Sequence, residues 1–311
     1  KNRGNIMNVL SLFRAMPGSV AQGLIWGIMA LGVYITFKIL NFADLTVDGT
    51  LGTGGAVAVM LILNGFPPSV ALIFAFAAGM LAGLVTGILH TVLGIPDILS
   101  GILTQIALYS VNMNIMGRSN QAVSVDKYNL VVSLRYIPAA IVTTILFLVV
   151  IIGVLYWYFG TEQGFTIRAT GCNPNMSRAQ GINTNFAKVL ALVISNGLVG
   201  LAGGLYAQYQ GNSDVNMGRG AIVIGLAAVI IGEVLGEAIF GKRLNFIGRL
   251  AFVAIGAIIY YVVIAFVLWL GLPSEDMKLF SAIVVAIFLA IPYLRGKSKT
   301  SFKRAAKNGG N

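Results

Sequence analysis

Long stretches of this chain carry no charged residue over a length that crosses a lipid bilayer. Two of them are residues 140–159 (AIVTTILFLVVIIGVLYWYF) and residues 250–272 (LAFVAIGAIIYYVVIAFVLWLGL). A helix needs about 20 apolar residues to span the hydrocarbon core, so each stretch predicts a membrane-spanning helix. Because lipid offers no hydrogen-bond partners to the backbone, a chain built from such stretches is expected to fold as a bundle of α-helices.

The composition supports this fold class. Only 10% of the residues are charged and 57% are hydrophobic, whereas a soluble domain carries about 25% charged residues. We predict an all-α, polytopic transmembrane bundle that forms a single domain over residues 1–311, with eight to nine spans and one broken or re-entrant helix near 41–64. The predicted apolar segments are 19–40, 51–64, 69–94, 97–116, 138–159, 187–209, 219–240, 245–271 and 277–294.

The net charge of +11 has two interpretations. A basic chain can bind nucleic acid, but a membrane protein also concentrates lysine and arginine in its cytoplasmic loops. Here the basic residues lie in loops and tails beside apolar segments, which favours the second interpretation and no nucleic-acid partner. The basic tail 295–311 predicts a cytoplasmic C-terminus, and counting spans back from it places 160–186 on the same side. The side of the N-terminus stays open, with an external position favoured.

Several classes of site are excluded by residue counts and motifs. A single cysteine, Cys172, and a single histidine, His90, predict no disulfide and no metal site within the chain. Residues 236–243 (GEAIFGKR) approach the phosphate-binding loop pattern but end in arginine where serine or threonine is needed, and they follow an apolar span. We therefore expect no nucleotide site and no cofactor on this chain. It also has no polar segment large enough for a soluble catalytic domain, so we do not expect it to be an enzyme.

The polar segment 160–186 contains the most informative motif. Asn173 and Pro174 form a helix-start signal, since asparagine suits the cap and proline the first helical position. A short helix that ends at Gly181 is predicted after them. It is either an ordinary part of a basic loop or a helix that receives force from a motor subunit.

The pattern R-A-T-G-x-N-P-x-M-x-R-A-x-G-I-N over residues 168–183 resembles the coupling loop of ABC-importer permeases of the branched-chain amino acid and ribose type. Residues 197–211 and 222–241 resemble the same family, and the likeness covers about residues 19–295. The stretch NFADLTVDGTLGTGGAV (41–57) carries Asp44 where branched-chain permeases usually have histidine. Together these stretches make the chain most similar to the tryptophan/tyrosine (amino acid) transport permease branch, and Asp44 is part of what selects that branch.

The resemblance implies that the stretch near 41–64 lies beside a translocation path. Irregular backbone at membrane depth is tolerated only against protein or a water-filled cavity, and carboxylates there need partners or water. Asp44 and Asp48 either line the path or cap the following helix, and the polar residues of segment 97–116 either bind solute or bridge helices. The predicted path residues are Asn41, Asp44, Thr46, Asp48, Gln105 and Asn112.

The resemblance also implies an assembly and a role. The chain would be the transmembrane permease subunit of an ATP-driven importer that moves a small solute, an amino acid and in particular an aromatic one, across the bacterial plasma membrane. Its partners would be a second permease copy in a homodimer, two cytoplasmic ATP-binding subunits that hold ATP and Mg²⁺, an extracytoplasmic solute-binding protein and membrane lipid. The predicted ATPase-coupling residues are Arg168, Asn173, Pro174, Arg178 and Gly181.

Other functions remain open at this point. Within ABC import, the solute could be a nucleoside, a sugar or another metabolite. In a different class, the chain could be a secondary transporter that uses an ion gradient through Asp44, Asp48 or Glu233. A membrane scaffold without transport is a third class. Uptake that continues with ATP after the ion gradient is collapsed separates the first class from the others.

Overall fold

A computed structural model describes residues 9–241 and 244–269, together with residues 279, 282–283, 285–287 and 290. The described residues form ten α-helices, a π-helical turn (Ile35–Ile39), a 3-10 turn (Leu134–Tyr136) and two short strands. The α-helices are α1 Val9–Tyr34, α2 Val47–Leu63, α3 Pro68–Thr91, α4 Asp97–Met116, α5 Ile137–Tyr158, α6 Glu162–Cys172, α7 Pro174–Ala179, α8 Thr184–Gln210, α9 Ala221–Phe240 and α10 Phe246–Trp269, and the strands are β1 Asn120–Ala122 and β2 Asn212–Asp214.

The predicted all-α bundle is confirmed, but the predicted span count is too high for the described residues. Seven helical segments there are long and apolar enough to cross a bilayer. The helix α2 has 17 residues, a length of about 26 Å against a hydrocarbon core of about 30 Å, so it falls short of a full span. Most of the predicted segment 277–294 and all of the tail 295–311 lie outside the described residues.

The helix α8 lies at the centre of the bundle, and glycines allow its neighbours to approach closely. A Cβ atom on Gly79 would lie 3.0 Å from the carbonyl carbon of Asn196, and one on Gly83 would lie 2.8 Å from that of Leu192. The paired positions run in opposite order, so α3 is antiparallel to α8. Small residues four apart allow transmembrane helices to pack backbone to backbone, and here they serve packing within one chain.

The two ends of the bundle differ in what they carry. We call one the strand end, because β1 follows α4, β2 follows α8, and the two strands pair antiparallel with Gln121 opposite Ser213. The other is the α7 end, where α6 and α7 connect α5 to α8. The helix α1 is antiparallel to α8, since Tyr209 donates to the carbonyl of Gly18 and Ser195 donates to that of Gly32.

The helix α5 lies on the outer surface of the bundle. This helix has the highest mean hydropathy of the seven long apolar helices and is mostly exposed, as expected for a surface that contacts lipid acyl chains. Its exposed apolar side chains include Val142, Leu146 and Val149. In contrast, the apolar stretch of α1 is mostly buried among its neighbours.

Candidate functional site

The chain breaks between α1 and α2. The π-helical turn Ile35–Ile39 ends the first helical segment, and Asn41 then adopts a left-handed conformation with φ of 56°. Asparagine is one of the few non-glycine residues that tolerate this region. Regular helix resumes at Val47. The broken helix predicted near 41–64 is therefore a break over residues 40–46 followed by one continuous short helix.

Asp44 fixes this break to the middle of α8. The side chain is 2% exposed, and its Oδ1 accepts a hydrogen bond from the backbone N–H of Thr46 at 2.9 Å. Its Oδ2 accepts from Nδ2 of Asn196 at 2.7 Å, while Oδ1 of Asn196 accepts from the hydroxyl of Thr50 at 2.7 Å. A buried carboxylate is costly unless it is hydrogen-bonded, and here both oxygens are satisfied by protein donors.

A row of threonine hydroxyls extends this polar network across two more helices. Oγ1 of Thr46 lies 2.7 Å from Oγ1 of Thr86 in α3, which in turn donates to Oγ1 of Thr104 in α4 at 2.9 Å. The network therefore ties α2, α3, α4 and α8 around the break. Sequence reasoning missed Thr86, Thr104 and Asn196, since a threonine or asparagine inside an apolar helix gives no sign of which partner it meets.

Asp48 caps a helix, but not its own. Its Oδ2 accepts from the backbone N–H of Gly220 and its Oδ1 from that of Ile222, both at 2.9 Å. These groups belong to the N-terminus of α9, where the first N–H groups have no partner within the helix and a negative charge is favoured. Gly218 allows the approach, because a Cβ atom there would lie 3.0 Å from the carbonyl carbon of Asp48.

A cavity of about 330 Å³ lies between the start of α2, one face of α4 and the segment that leads into α9. It contains three of the six predicted path residues, Asp48, Gln105 and Asn112. Asn41, Asp44 and Thr46 do not line it. The cavity is lined by Asp48, Gly49, Gln105, Ile106, Tyr109, Ser110, Asn112, Val215, Asn216 and Arg219.

Asn112 is the most unusual group in the cavity wall. The residue is 1% exposed, and its Nδ2 donates to the carbonyl of Gly49 at 3.4 Å. Its Oδ1 has no hydrogen-bond donor among the described residues. Since nearly all buried polar atoms in folded proteins have a partner, this oxygen is an acceptor in need of a donor.

Arg219 supplies the positive charge in the cavity wall, and sequence reasoning missed it. The residue is exposed, and only its backbone N–H is bonded, to the carbonyl of Asn216 at 3.1 Å. Within the described part of the chain, its guanidinium forms no hydrogen bond or ion pair. The available signal was a single basic residue at the first position of the predicted apolar segment 219–240.

At the α7 end, the predicted helix start is confirmed. Oδ1 of Asn173 accepts from the backbone N–H of Met176 at 3.1 Å, which caps α7. The helix ends before Gly181, whose φ of 81° suits glycine. Arg178 donates from Nε to the hydroxyl of Thr184 at 2.9 Å. Apart from Ser177, the residues of α7 are exposed, so most of its surface is accessible.

Arg168, in α6, has a different environment from the other predicted coupling residues. It is half-buried, and its guanidinium carbon lies 4.2 Å from the ring centre of Phe246 and 5.4 Å from that of Phe159. A cation that lies over the face of an aromatic ring is attracted to the ring electrostatically. Arg168 thereby anchors α6 onto the ends of α5 and α10.

The end of α6 also contacts the break directly. A Cβ atom on Gly171 would lie 2.9 Å from the carbonyl carbon of Ile39 and 2.9 Å from Cα of Leu40. Backbone therefore packs on backbone between α6 and the residues just before Asn41. Close by, Glu233 of α9 pairs with Lys38 of the π-helical turn at 2.7 Å.

The sequence matches a known family over most of its length. Residues 16–292 fit the family model described as "Branched-chain amino acid transport system / permease component". The chain is a member of the ABC-importer permease family. The resemblance found in the sequence is thereby confirmed, and the permease is a multi-pass membrane protein of a family of transport subunits.

Individual relatives extend this assignment. The permease is 40% identical over 289 residues to the tyrosine transport system permease protein of Clostridioides difficile (strain R20291), covering 93% of this chain and 95% of that protein. It is 34% identical over 275 residues to an uncharacterized protein of Rickettsia prowazekii (strain Madrid E), covering 88% and 95%. It is 28% identical over 255 residues to the galactofuranose transporter permease protein of Escherichia coli (strain K12), covering 80% and 71%. No solved structure matches the chain significantly.

Proposed function

We propose that this permease is the transmembrane subunit of an ATP-driven importer that moves an amino acid, in particular an aromatic one, into a bacterial cell. The observation that carries the proposal is the 40% identity, over nearly the full length of both chains, to a permease named for tyrosine transport. The relative named for galactofuranose is less similar, at 28%. The cavity beside α4 supports an amino acid because it presents groups of both charge signs, Asp48 and Arg219.

Membership of the family supports the proposed assembly. Two copies of the permease form a homodimer in the plasma membrane, two ATP-binding subunits dock on the cytoplasmic side, and a solute-binding protein delivers the solute from outside. ATP and Mg²⁺ belong to the ATP-binding subunits, and this chain supplies no residue to their site. In this arrangement the α7 end and the C-terminus are cytoplasmic, and the strand end faces outward. The basic side chains Arg168, Arg178 and Lys188 near the α7 end fit this orientation.

The helix α7 is the proposed docking element for the ATP-binding subunit. Its exposed residues can enter a groove on a partner, as short helices do, and Arg178 adds a charge for an acidic partner surface. Asn173 and Pro174 set where α7 begins, and Gly181 sets where it ends. Arg168 holds the supporting helix α6 in place rather than reaching toward a partner.

The contact at Gly171 gives a route for motion from α7 to the path. Closure of the ATP-binding subunits displaces α7 and α6, and the close backbone contact passes the displacement to Ile39 and Leu40 at the break. The break is tied through Asp44 to the centre of α8. The spans then exchange between outward-open and inward-open arrangements, which is alternating access.

Purification with partners tests the proposal. The permease is isolated from its native membrane in mild detergent, and bound proteins are identified by mass spectrometry. An ATP-binding subunit is expected at near equal amounts, and Arg178→Glu should remove it because a like charge then faces an acidic surface. Arg14→Glu, an exposed arginine in α1, is the matched control and should retain it.

Uptake separates the remaining alternatives. In vesicles that contain the complete assembly, labelled L-tyrosine should accumulate with ATP after ionophores collapse the ion gradients. Accumulation that needs a gradient and no ATP would instead establish a secondary transporter. Accumulation of a sugar or nucleoside but of no amino acid would refute the proposed substrate.

A further inference from the structure

The cavity beside α4 has the dimensions of a small-molecule site. Its volume of about 330 Å³ lies at the lower end of the range of about 300–1,000 Å³ found for ligand pockets. It is formed at the start of α2 and the start of α9, where regular helix begins inside the bundle. Irregular backbone at membrane depth is tolerated where it lines a water-filled cavity. The segment before α9 is irregular, and its residues Asn216 and Arg219 line this cavity.

One residue of the cavity wall, Asn112, carries a buried acceptor without a donor. Oδ1 of Asn112 is unpaired among the described residues although the residue is 1% exposed. Leaving such an atom unsatisfied is unfavourable, because the buried acceptor has given up its hydrogen bonds to water. A ligand that donates a hydrogen bond, such as an ammonium group, removes this cost. Gln105, about two helical turns away on the same helix, adds a second amide to the wall.

Opposite charges meet at the same cavity. The carboxylate of Asp48 accepts one backbone N–H at each oxygen and retains capacity for a further donor, since a carboxylate has about four acceptor positions. The guanidinium of Arg219 has no acceptor within the described part of the chain, and its planar fork suits a ligand carboxylate held by two hydrogen bonds. A neutral sugar would leave that cation unpaired.

The α4 side of the cavity combines apolar and polar surface. Ile106 and Tyr109 line it and are exposed, so they can contact an apolar or aromatic side chain of a ligand. The helix has the lowest mean hydropathy of the seven long apolar helices although it is largely exposed. An exposed face that carries Gln105 and Tyr109 suits contact with a solute better than contact with lipid.

We propose that this cavity is a binding site in the permease itself for a zwitterionic α-amino acid. The ligand carboxylate pairs with Arg219, the ammonium group donates to Oδ1 of Asn112 with Asp48 nearby, and the side chain lies against Ile106 and Tyr109. The inference rests on the proposed function, since it places the transported amino acid at a defined point of the path.

The test measures protection of a cysteine in the cavity. The permease and its ATP-binding subunits are reconstituted in lipid nanodiscs without solute-binding protein, so that selectivity reflects this chain. Cys172, which is exposed, is replaced by serine, and a reporter is introduced by Ser110→Cys in the cavity wall or, as the control, by Ser124→Cys on an exposed loop. The rate of alkylation by a polar maleimide is recorded with and without L-tyrosine.

With L-tyrosine at ten times its dissociation constant, alkylation of the Ser110→Cys reporter should slow about tenfold, and that of the Ser124→Cys reporter should not change. Tyramine, which lacks the carboxylate, and 3-(4-hydroxyphenyl)propionate, which lacks the ammonium group, should each protect much less. Arg219→Gln and Asn112→Leu should each raise the half-protecting concentration about tenfold. Arg219→Lys should restore part of the effect, and Asn114→Leu, on the same helix outside the cavity, should have none.

Two results would overturn the site. In the first, L-tyrosine gives no protection although the complete importer takes up L-tyrosine. This result would refute the binding site and leave the proposed function intact. The other is protection that is equal for all three compounds or unchanged by Arg219→Gln and Asn112→Leu. Protection with the expected selectivity, in an importer that takes up no amino acid, would uphold the site and refute the proposed function.

Discussion

Substitution of Gly171 by alanine tests the route of motion between α6 and the break. The added Cβ would lie 2.9 Å from both the carbonyl carbon of Ile39 and Cα of Leu40, whereas carbon atoms in good contact are about 3.5–4.0 Å apart. The added Cβ would also overlap the carbonyl oxygen of Ile39. Because all these neighbours are backbone atoms, α6 has to move away from the break by more than about 1 Å. Overpacking of this kind typically costs about 1–3 kcal/mol.

This overpacking cost destabilises whichever arrangement of the permease contains the tight contact between α6 and the break. A free energy of about 1–3 kcal/mol shifts an equilibrium between two arrangements by roughly 5–150-fold. ATP-driven uptake by the Gly171→Ala importer should therefore fall at least about fivefold. Binding of the ATP-binding subunit should persist, because α7 keeps its own cap and its exposed surface.

The assay compares uptake per ATP hydrolysed in proteoliposomes for Gly171→Ala and a matched control. Gly153→Ala provides that control, because Gly153 also lies within a helix but a Cβ atom there meets nothing within 4 Å. The control should behave like the unaltered permease. Equal uptake per ATP hydrolysed for the two variants would refute the proposed route. If Gly171→Ala alone fails to give a folded, monodisperse protein, the contact is needed for folding instead.

Two further predictions concern stability, measured as the thermal unfolding midpoint of the purified permease in nanodiscs. Asp48→Ala removes both acceptors for the N–H groups of Gly220 and Ile222 and should lower the free energy of unfolding by about 3 kcal/mol or more. Asp48→Asn keeps one acceptor and should lower it by about half as much. Equal losses of stability for the two variants would contradict the cap on α9. Thr86→Val removes two interhelical hydroxyl contacts and should lower the free energy of unfolding by about 1 kcal/mol. Thr91→Val is the control and should cause no comparable loss of stability, because the hydroxyl of Thr91 bonds to a carbonyl of its own helix.

Much of the architecture could be predicted because its signals are local. Hydropathy located α4 at its observed bounds, 97–116, and α5 and α10 to within a few residues. The acids and glycines near 41–57 located the break, and Asn173 located the start of α7. In each case the deciding property, the length of an apolar run or the cap of a helix, belongs to neighbouring residues in the sequence.

The number of spans and the make-up of the cavity needed the tertiary structure. The helix α2 is apolar enough for a membrane but too short to cross it, which follows from where the chain breaks inside the bundle. Of the six predicted path residues, Asp48, Gln105 and Asn112 line the cavity, and the other three lie elsewhere. Arg219 joins the cavity because the segment before α9 packs along α2.

The sequence by itself determined that this chain is a helical membrane bundle with a polar break, and that the acids at the break require partners. Only the tertiary structure decided which partners they have. Asp48 caps a helix that begins more than 170 residues later in the chain, and Asp44 is held by Asn196 from the middle of α8. The physical reason is that desolvation makes a hydrogen-bond donor obligatory for a buried acid, but the identity of the donor depends on which helices become neighbours.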